Sequence, residues 1–499
     1  MKRRAFIQAS SFALAASFPG IRAAYAVART GSVPDIAAVT GDNRAITLRG
    51  SEVAELAAKL RGQLLIAGDN GYDDARRILN PSFDKHPALI AQVTGVPDIQ
   101  AAVDFARAHN LLVAVKCGGH SHSGQSTCDR GMLIDLSKFR NVRVDAQARR
   151  VWATGGTLLG QIDHAALAQG LLTPLGTVSH TGVGGLTLGG GFGRTARRFG
   201  MAIDNLESVD LVTADGKLLH ASAKENPELF WGVRGGSGNF GIVTSFEFRL
   251  HPMQREVIAG AVSFPIARAR DVLRMWGDYA PTAPDELYMD PIMQLPPGGA
   301  PGTIEIQVCY SGAKEKAEQA LAPLRKLGKA DNDTIKTTDF ELVQRSGDVT
   351  DPRAVASYLK GGFIAQMSDD LIASIVNGFQ GHPGRATLLF FQHCAGACSR
   401  VAEGATAFAH RYALANMMTV AGWRNGDDPT EHIQATRRYW ATIEKFSRGF
   451  YVNDMAREAT AKDINENYRG NYARLAALKT KYDPTNLFRL NANVTPRKA

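Results

Sequence analysis

Two clusters in the sequence hold residue types that do chemistry. The first is Lys116-Cys117-Gly118-Gly119-His120-Ser121-His122. A histidine flanked by glycines presents its ring beside bare backbone, where a ligand can approach closely. Read as metal ligands, Cys117, His120 and His122 leave the fourth zinc position unassigned, and a one-residue gap in a glycine turn is poor geometry. No metal is assigned. The second cluster is the run 182–193, with seven glycines in twelve positions against 50 in 499 for the chain. That density serves positive φ and backbone N–H groups turned toward a phosphate or a ring edge. The alternative is a flexible linker, but Val183, Leu186, Leu188 and Phe192 lie inside the run, and solvated linkers lack such residues. Gly191-x-Gly193-x-x-Ala196 fits a dinucleotide fingerprint. It lacks the strand-turn-helix context that gives that fingerprint its meaning, so a nicotinamide site there is weak.

These clusters need elements to hold them. Residues 88–93 read as a strand, and Pro97-Asp98 opens a helix with Ile99, Ala102, Val103 and Ala106 on one face. Residues 111–115 form a continuous apolar run, as in a strand buried on both faces. The three make a β-α-β unit with parallel strands, and the His120 segment leaves its second strand. Short strands follow at 132–136, 142–144 and 151–153, then a helix with Leu158, Leu159, Ile162, Ala165 and Ala166 on one face. Strands over 208–213 and 217–220 flank Asp215-Gly216, a hairpin signal, and 241–250 is one more strand. Beyond Pro252, helices over 268–279 and 313–327 alternate with strands over 287–293, 303–310 and 387–393, and 296–301 is a loop between two strands. Residues 254–455 read as a second α+β domain. The last 45 residues return to helix and loop.

Composition excludes several classes. Hydrophobic residues are 44% and charged residues 21%, which is globular, and beyond the leader no uncharged stretch is long enough to span a bilayer. Residues 1–26 carry Lys2, Arg3, Arg4 and Arg22 and no acid, then an apolar run, then Ala24-Tyr25-Ala26 as a small-x-small cleavage site. This is the order of an export signal, and the Arg3-Arg4 pair with a weakly apolar core favours the twin-arginine route over a general secretory signal. The mature chain is then expected in the periplasm or outside the cell. Removing the four leader cations takes the net charge from +9 to +5, and the remaining basic residues are scattered, so no nucleic-acid partner is expected. Five cysteines exclude a full disulfide framework. Cys117 with Cys128, or Cys394 with Cys398, could pair in an oxidising compartment, but small buried or free thiols are the simpler reading.

Lys116-Cys117-Gly118-Gly119-His120-Ser121, the glycine run 176–193 and Phe230-Trp231-x-x-Arg234-Gly235-Gly236-x-Gly238-Asn239-Phe240-Gly241-Ile242-Val243 resemble the PCMH-type FAD domain of the vanillyl-alcohol-oxidase flavoproteins. Asn471-Tyr472-x-Arg474-Leu475 and Lys481-Tyr482-Asp483-Pro484-x-Asn486-x-Phe488-Arg489 are similar to the tail of the berberine-bridge-enzyme-like branch. The resemblance spans about residues 70–499, in family order. It implies an α+β fold: an FAD-binding domain of two α+β subdomains over 83–253, and an α+β substrate domain with a large antiparallel sheet over 254–455. Residues 27–82 precede these, and a C-terminal segment over 456–499 returns to the FAD domain. It implies FAD bonded covalently through His120. Lys116, Cys117, Gly118, Gly119, Ser121, Gly176, Thr177, Thr181, Gly184, Gly185, Gly189, Gly190, Gly193, Ile242 and Val243 would line the cofactor, and Asn471 and Tyr472 would return to it from the tail.

Two departures from the family pattern matter. Many members carry a cysteine bonded to flavin C6 in a Gly-Thr-Cys-Pro-like stretch; this chain reads Gly176-Thr177-Val178-Ser179, so a single link through His120 is expected. Many read Tyr-x-Asn-Tyr near the end; this chain reads Tyr451-Val452-Asn453-Asp454, so Asp454 stands where a tyrosine base would be. The implied chemistry is hydride transfer from a sugar, alcohol, amine or secondary metabolite to flavin N5, then to dioxygen with release of hydrogen peroxide. A dehydrogenase or reductase using another electron partner is the alternative. Asp454 is the first candidate base and Gln392 the second, with Tyr451 beside them. Phe390, Gln392, Tyr288 and Gln307 are candidate substrate liners.

Overall fold

The computed structural model describes residues 33–349, 351, 354–454 and 458–497. The expected leader over 1–26 lies outside them. The N-terminal half holds two sheets. In the first, Gln63–Leu65, Leu89–Gln92, Met132–Asp135 and Val113–Lys116 lie in that order. Leu89–Gln92 and Val113–Lys116 both run parallel to Met132–Asp135, which inserts between them. The helix Val96–Ala108 makes the crossover and buries Ile99, Ala102, Val103 and Ala106, the face its spacing predicts. Because Gln63–Leu65 pairs with Leu89–Gln92, residues ahead of 83 are built into this unit.

The second sheet orders Leu218–Ser222, Leu206–Val212, Ile242–Arg249, Arg150–Thr154 and Val142–Asp145, all antiparallel. The expected hairpin at Asp215-Gly216 joins its first two strands, and Gly216 takes φ +80° there. Helices Ala461–Tyr468 and Tyr472–Tyr482 of the tail seal this sheet's core with Ile464, Tyr468, Leu475 and Leu478. The returning C-terminal segment is therefore a packing element of the first half, held by burial of apolar area.

The second half is an eight-stranded antiparallel sheet. Its spine runs Glu256–Pro265, Thr303–Tyr310, Leu287–Leu295, Ala386–His393, Ala415–Arg424 and Val355–Ile364. Helices Ala269–Tyr279, Ala317–Arg325, Asp369–Gly378 and Thr430–Ile443 cover one face, where Trp276, Leu321, Ile375 and Trp440 meet Leu389, Phe391 and Met417. Side chains alternate along a strand, so Phe390, Gln392, Asn416 and Met418 belong to the opposite face. Three long strands, Glu256–Pro265, Val355–Ile364 and Ala415–Arg424, lack a sequence signal. Gly260 and Gly361-Gly362 interrupt the first two, and the third is buried on both faces and so shows no alternation. All five cysteines are free thiols.

Candidate active site

A cavity of about 400 Å³ lies where the two halves and the tail meet, within the size range of small-ligand sites. One wall is nearly bare backbone. The strand Val113–Lys116 ends at a turn in which Gly119 takes φ +68°, a conformation glycine adopts without strain. The backbones of Gly118 and Gly182 meet face to face. A Cβ on Gly118 would lie 2.4 Å from Gly182 N, and one on Gly182 would lie 2.3 Å from Gly118 N and 2.4 Å from Cys117 Sγ. Behind Gly182 the run folds into a seven-residue helix, Val183–Gly189. A Cβ on Gly185 would meet nothing within 4 Å, and Gly185 lines the cavity.

His120 stands in this wall. Its ring centroid is 5.6 Å from that of His122 and 5.1 Å from that of His180. Its Nε2 is buried with no hydrogen-bond partner. Burial, with the two neighbouring imidazoles, pushes its pKa down to about 3, so the ring is neutral. His180 is tied to the second half, because its Nε2 accepts from Val349 N at 2.9 Å. Val178 also lines the cavity and touches it with methyl groups alone.

The facing wall comes from the large sheet. Cross-strand pairing sets Phe390 opposite Met418 and Gln392 opposite Asn416. Asn416 is fully buried; its Nδ2 donates to Gln392 Oε1 at 3.0 Å and to Asp454 Oδ2 at 3.2 Å. Burial raises the Asp454 carboxyl to about 7, and the Asn416 bond opposes the rise. Tyr451 closes the corner. Its hydroxyl accepts from Gly191 N at 2.9 Å and from Asn453 Nδ2 at 2.8 Å. Burial and the nearby Asp454 push its pKa well up.

Of the expected residues, Cys117, Gly118, Gly119, His120, Ser121, Gly176, Thr177, Thr181, Gly184, Gly185, Ile242, Val243, Gln392, Tyr451 and Asp454 line the cavity together. The substrate-domain helix Phe340–Arg345 holds the Gly176 edge, where Gln344 Nε2 donates to Gly176 O at 2.7 Å. Six expected cofactor residues lie outside the wall. Lys116 is buried with its ammonium 3.3 Å from Asp135 and bonded to Ala75 O. Gly189, Gly190 and Gly193 are glycines for close packing: their Cβ atoms would strike Asn453 Oδ1, Met201 Cε and Leu175 O. Asn471 donates to the carbonyls of Thr406 and Ala407, and Tyr472 packs on the second sheet's core. The tail instead reaches the cavity with Phe488, Leu490 and Asn491. Of the expected substrate liners, Tyr288 is buried against Asp290, and Gln307 donates to Glu305 at 2.8 Å. Asn416, the residue that ties Gln392 to Asp454, has no signal in the sequence.

The chain matches the family described as FAD binding domain over residues 87–222 and that described as berberine and berberine like over 451–495. An FAD-linked oxidoreductase of Dictyostelium discoideum is 30% identical over 449 residues, covering 89% of this chain and 97% of that protein. The structure of 6-hydroxy-D-nicotine oxidase from Arthrobacter nicotinovorans superposes with a TM-score of 0.80 at 27% identity, over 88% of this chain and 98% of that one. Carbohydrate oxidase from Microdochium nivale superposes with a TM-score of 0.81 at 25% identity, over 90% and 100%. The residues present fit FAD: a long cofactor with a flat ring needs bare backbone to lie against, which the open Gly185 gives, apolar walls, which Leu186, Leu188, Ile242 and Val243 give, and His120 Nε2 stands among them without a partner. Full-length similarity and a cavity built for that cofactor agree, and the chain belongs to the berberine-bridge-enzyme-like family of FAD-dependent oxidoreductases.

Proposed function

We propose that the protein is an oxidase that holds FAD covalently through His120 alone and passes electrons from a small-molecule donor to dioxygen, giving hydrogen peroxide. The observation that carries this reading is His120: a neutral imidazole, half-buried in the cavity wall, with a buried Nε2 free of any partner among the described residues. Val178, where a second link would form, has no nucleophile. Bound in the cavity, FAD supplies the two-electron acceptor for a substrate C–H bond. The chain's own residues do the rest. Gly118, Gly182 and Gly185 let backbone approach the cofactor, and Phe390 and Met418 keep water from the facing side. Asp454 Oδ1, which no protein donor engages among the described residues, accepts the substrate's X–H proton. Tyr451 positions the Gly191 and Asn453 backbone and amide rather than acting as base, since its hydroxyl already accepts two N–H bonds.

Two of the proteins named above, 6-hydroxy-D-nicotine oxidase and carbohydrate oxidase, are oxidases of different donors, which supports the reaction type and leaves the donor to the cavity. The leader over 1–26 supports export by the twin-arginine route, with the mature protein in the periplasm or outside the cell. Covalent attachment suits that destination, because a lost cofactor could not be replaced there. The test is to mix loaded protein with alcohols, amines and sugars in air and measure peroxide against product. One peroxide per product supports the oxidase. Flavin that substrate reduces but air does not reoxidise would make it a dehydrogenase.

A further inference from the structure

The hydrogen-bond pattern of the sheet wall narrows the substrate, given the FAD-dependent oxidation proposed above. An ionised Asp454 can only accept, so Asn416 must present its NH₂ to it. The same NH₂ meets Gln392, so Gln392 must present its oxygen to Asn416. Among the described residues Gln392 Nε2 is then left without a protein acceptor and Asp454 Oδ1 without a protein donor, and both side chains line the cavity. One buried amide therefore fixes a donor on one cavity-lining side chain and an acceptor on another. Phe390, Met418, Val452 and Phe192 give the same wall apolar surface, alongside Tyr451 and Asn453, whose polar groups already bond to each other. No lysine or arginine lines the cavity among the described residues.

We propose that the cavity takes a compact, mainly apolar alcohol whose single reacting hydroxyl is read by Asp454 and Gln392, with Asn416 as the positioning residue that fixes both. A hydroxyl donates one hydrogen bond and accepts another, so one oxygen satisfies both groups; an ammonium cannot accept, and an ether cannot donate. In the reaction the O–H bond breaks and its proton goes to Asp454 Oδ1. The C–H bond breaks with its electron pair going to FAD. The carbon and oxygen are left as a carbonyl, whose oxygen keeps the Gln392 Nε2 bond. An oligosaccharide carries a hydroxyl on nearly every carbon, and Phe390, Met418 and Val452 offer those hydroxyls no partner. The absence of a lining cation likewise disfavours carboxylate substrates.

The test uses flavin-loaded holoenzyme under anaerobic conditions, with benzyl alcohol, benzyl methyl ether, benzylamine and cellobiose as probes. Binding is read from the flavin absorption shift and reduction from its bleaching. Benzyl alcohol should bleach the flavin and bind about ten-fold tighter than its methyl ether, as one hydrogen bond to a charged group predicts. Cellobiose should neither bind nor bleach. In Asn416→Leu the alcohol-over-ether preference should fall to about one while apolar affinity is kept, a loss of discrimination that a merely structural role would not cause. Asp454→Leu, which removes the acceptor itself, supplies the same binding readout if Asn416→Leu does not fold. Faster bleaching by cellobiose or benzylamine than by benzyl alcohol overturns the substrate class, as does a preference that survives in both variants. A protein that retains no flavin contradicts the oxidoreductase reading instead, and is recognised before any probe is added.

Discussion

The two walls of the cavity are built on opposite logics. The cofactor wall is made by removing side chains: Gly118 and Gly182 touch backbone to backbone, and Gly185 opens onto space. The sheet wall is made by pairing side chains: Gln392 faces Asn416, and Phe390 faces Met418. The first wall tolerates no added atom where backbones meet, because a protein interior cannot yield by an ångström without disturbing its neighbours. The second is sensitive to chemistry more than to volume, because the buried Asn416 and the half-buried Asp454 are polar groups with few partners. Shape holds the cofactor, and hydrogen bonding handles the substrate.

Substitutions can break this contrast on either side. The largest effect is expected at Gly182→Ala, whose new Cβ would lie 2.3 Å from Gly118 N. Little soluble holoprotein should form, read as flavin absorbance per chain. Gly185→Ala, a few residues away, is the control: its Cβ meets no protein atom, so melting temperature should hold while flavin content falls. On the sheet wall, Asp454→Asn should lower kcat by about 10²–10⁴-fold with flavin content intact, as loss of a general base does. In the parent enzyme kcat/KM should rise with pH through about 7, as the carboxyl ionises, and that step should vanish in the variant.

Lys116→Met probes a residue the sequence places in the cofactor wall and the structure places behind it. Leaving Asp135 buried without its partner should destabilise the fold by about 3–5 kcal/mol, read by denaturant unfolding, while flavin chemistry in the folded fraction is unchanged. The smallest effect is a linkage. Asp454 has a folded pKa of about 7 against an ordinary 3.8, so its contribution to stability is present below about pH 4 and is lost as pH rises to about 7. Asp454→Asn should therefore gain melting temperature relative to the parent across that window and keep the gain above it.

The same contrast explains what the sequence discloses. The β-α-β unit is legible because 111–115 is a buried apolar run followed at once by Gly118-Gly119-His120. The glycine run 182–193 marks the cofactor wall, but it cannot separate Gly185, which faces the cavity, from Gly189, Gly190 and Gly193, which admit neighbouring atoms. A glycine for packing and a glycine for a ligand are the same letter. Asn416 is invisible for a different reason. It lies in Ala-Asn-Met-Met on a strand buried on both faces, and only the sheet register sets it opposite Gln392 and beneath Asp454. The tail motif marks a return to the FAD domain; geometry gives the contact to Phe488, Leu490 and Asn491 instead of Asn471 and Tyr472.

One measurement bears most directly on the cofactor assignment. Purified protein is denatured in acid, washed and digested, and the flavin is traced by fluorescence and peptide mass. Flavin on the peptide that contains His120, and none on the peptide that contains Val178, is the predicted result. Flavin that washes free of the chain, or is found on any other residue, would contradict it.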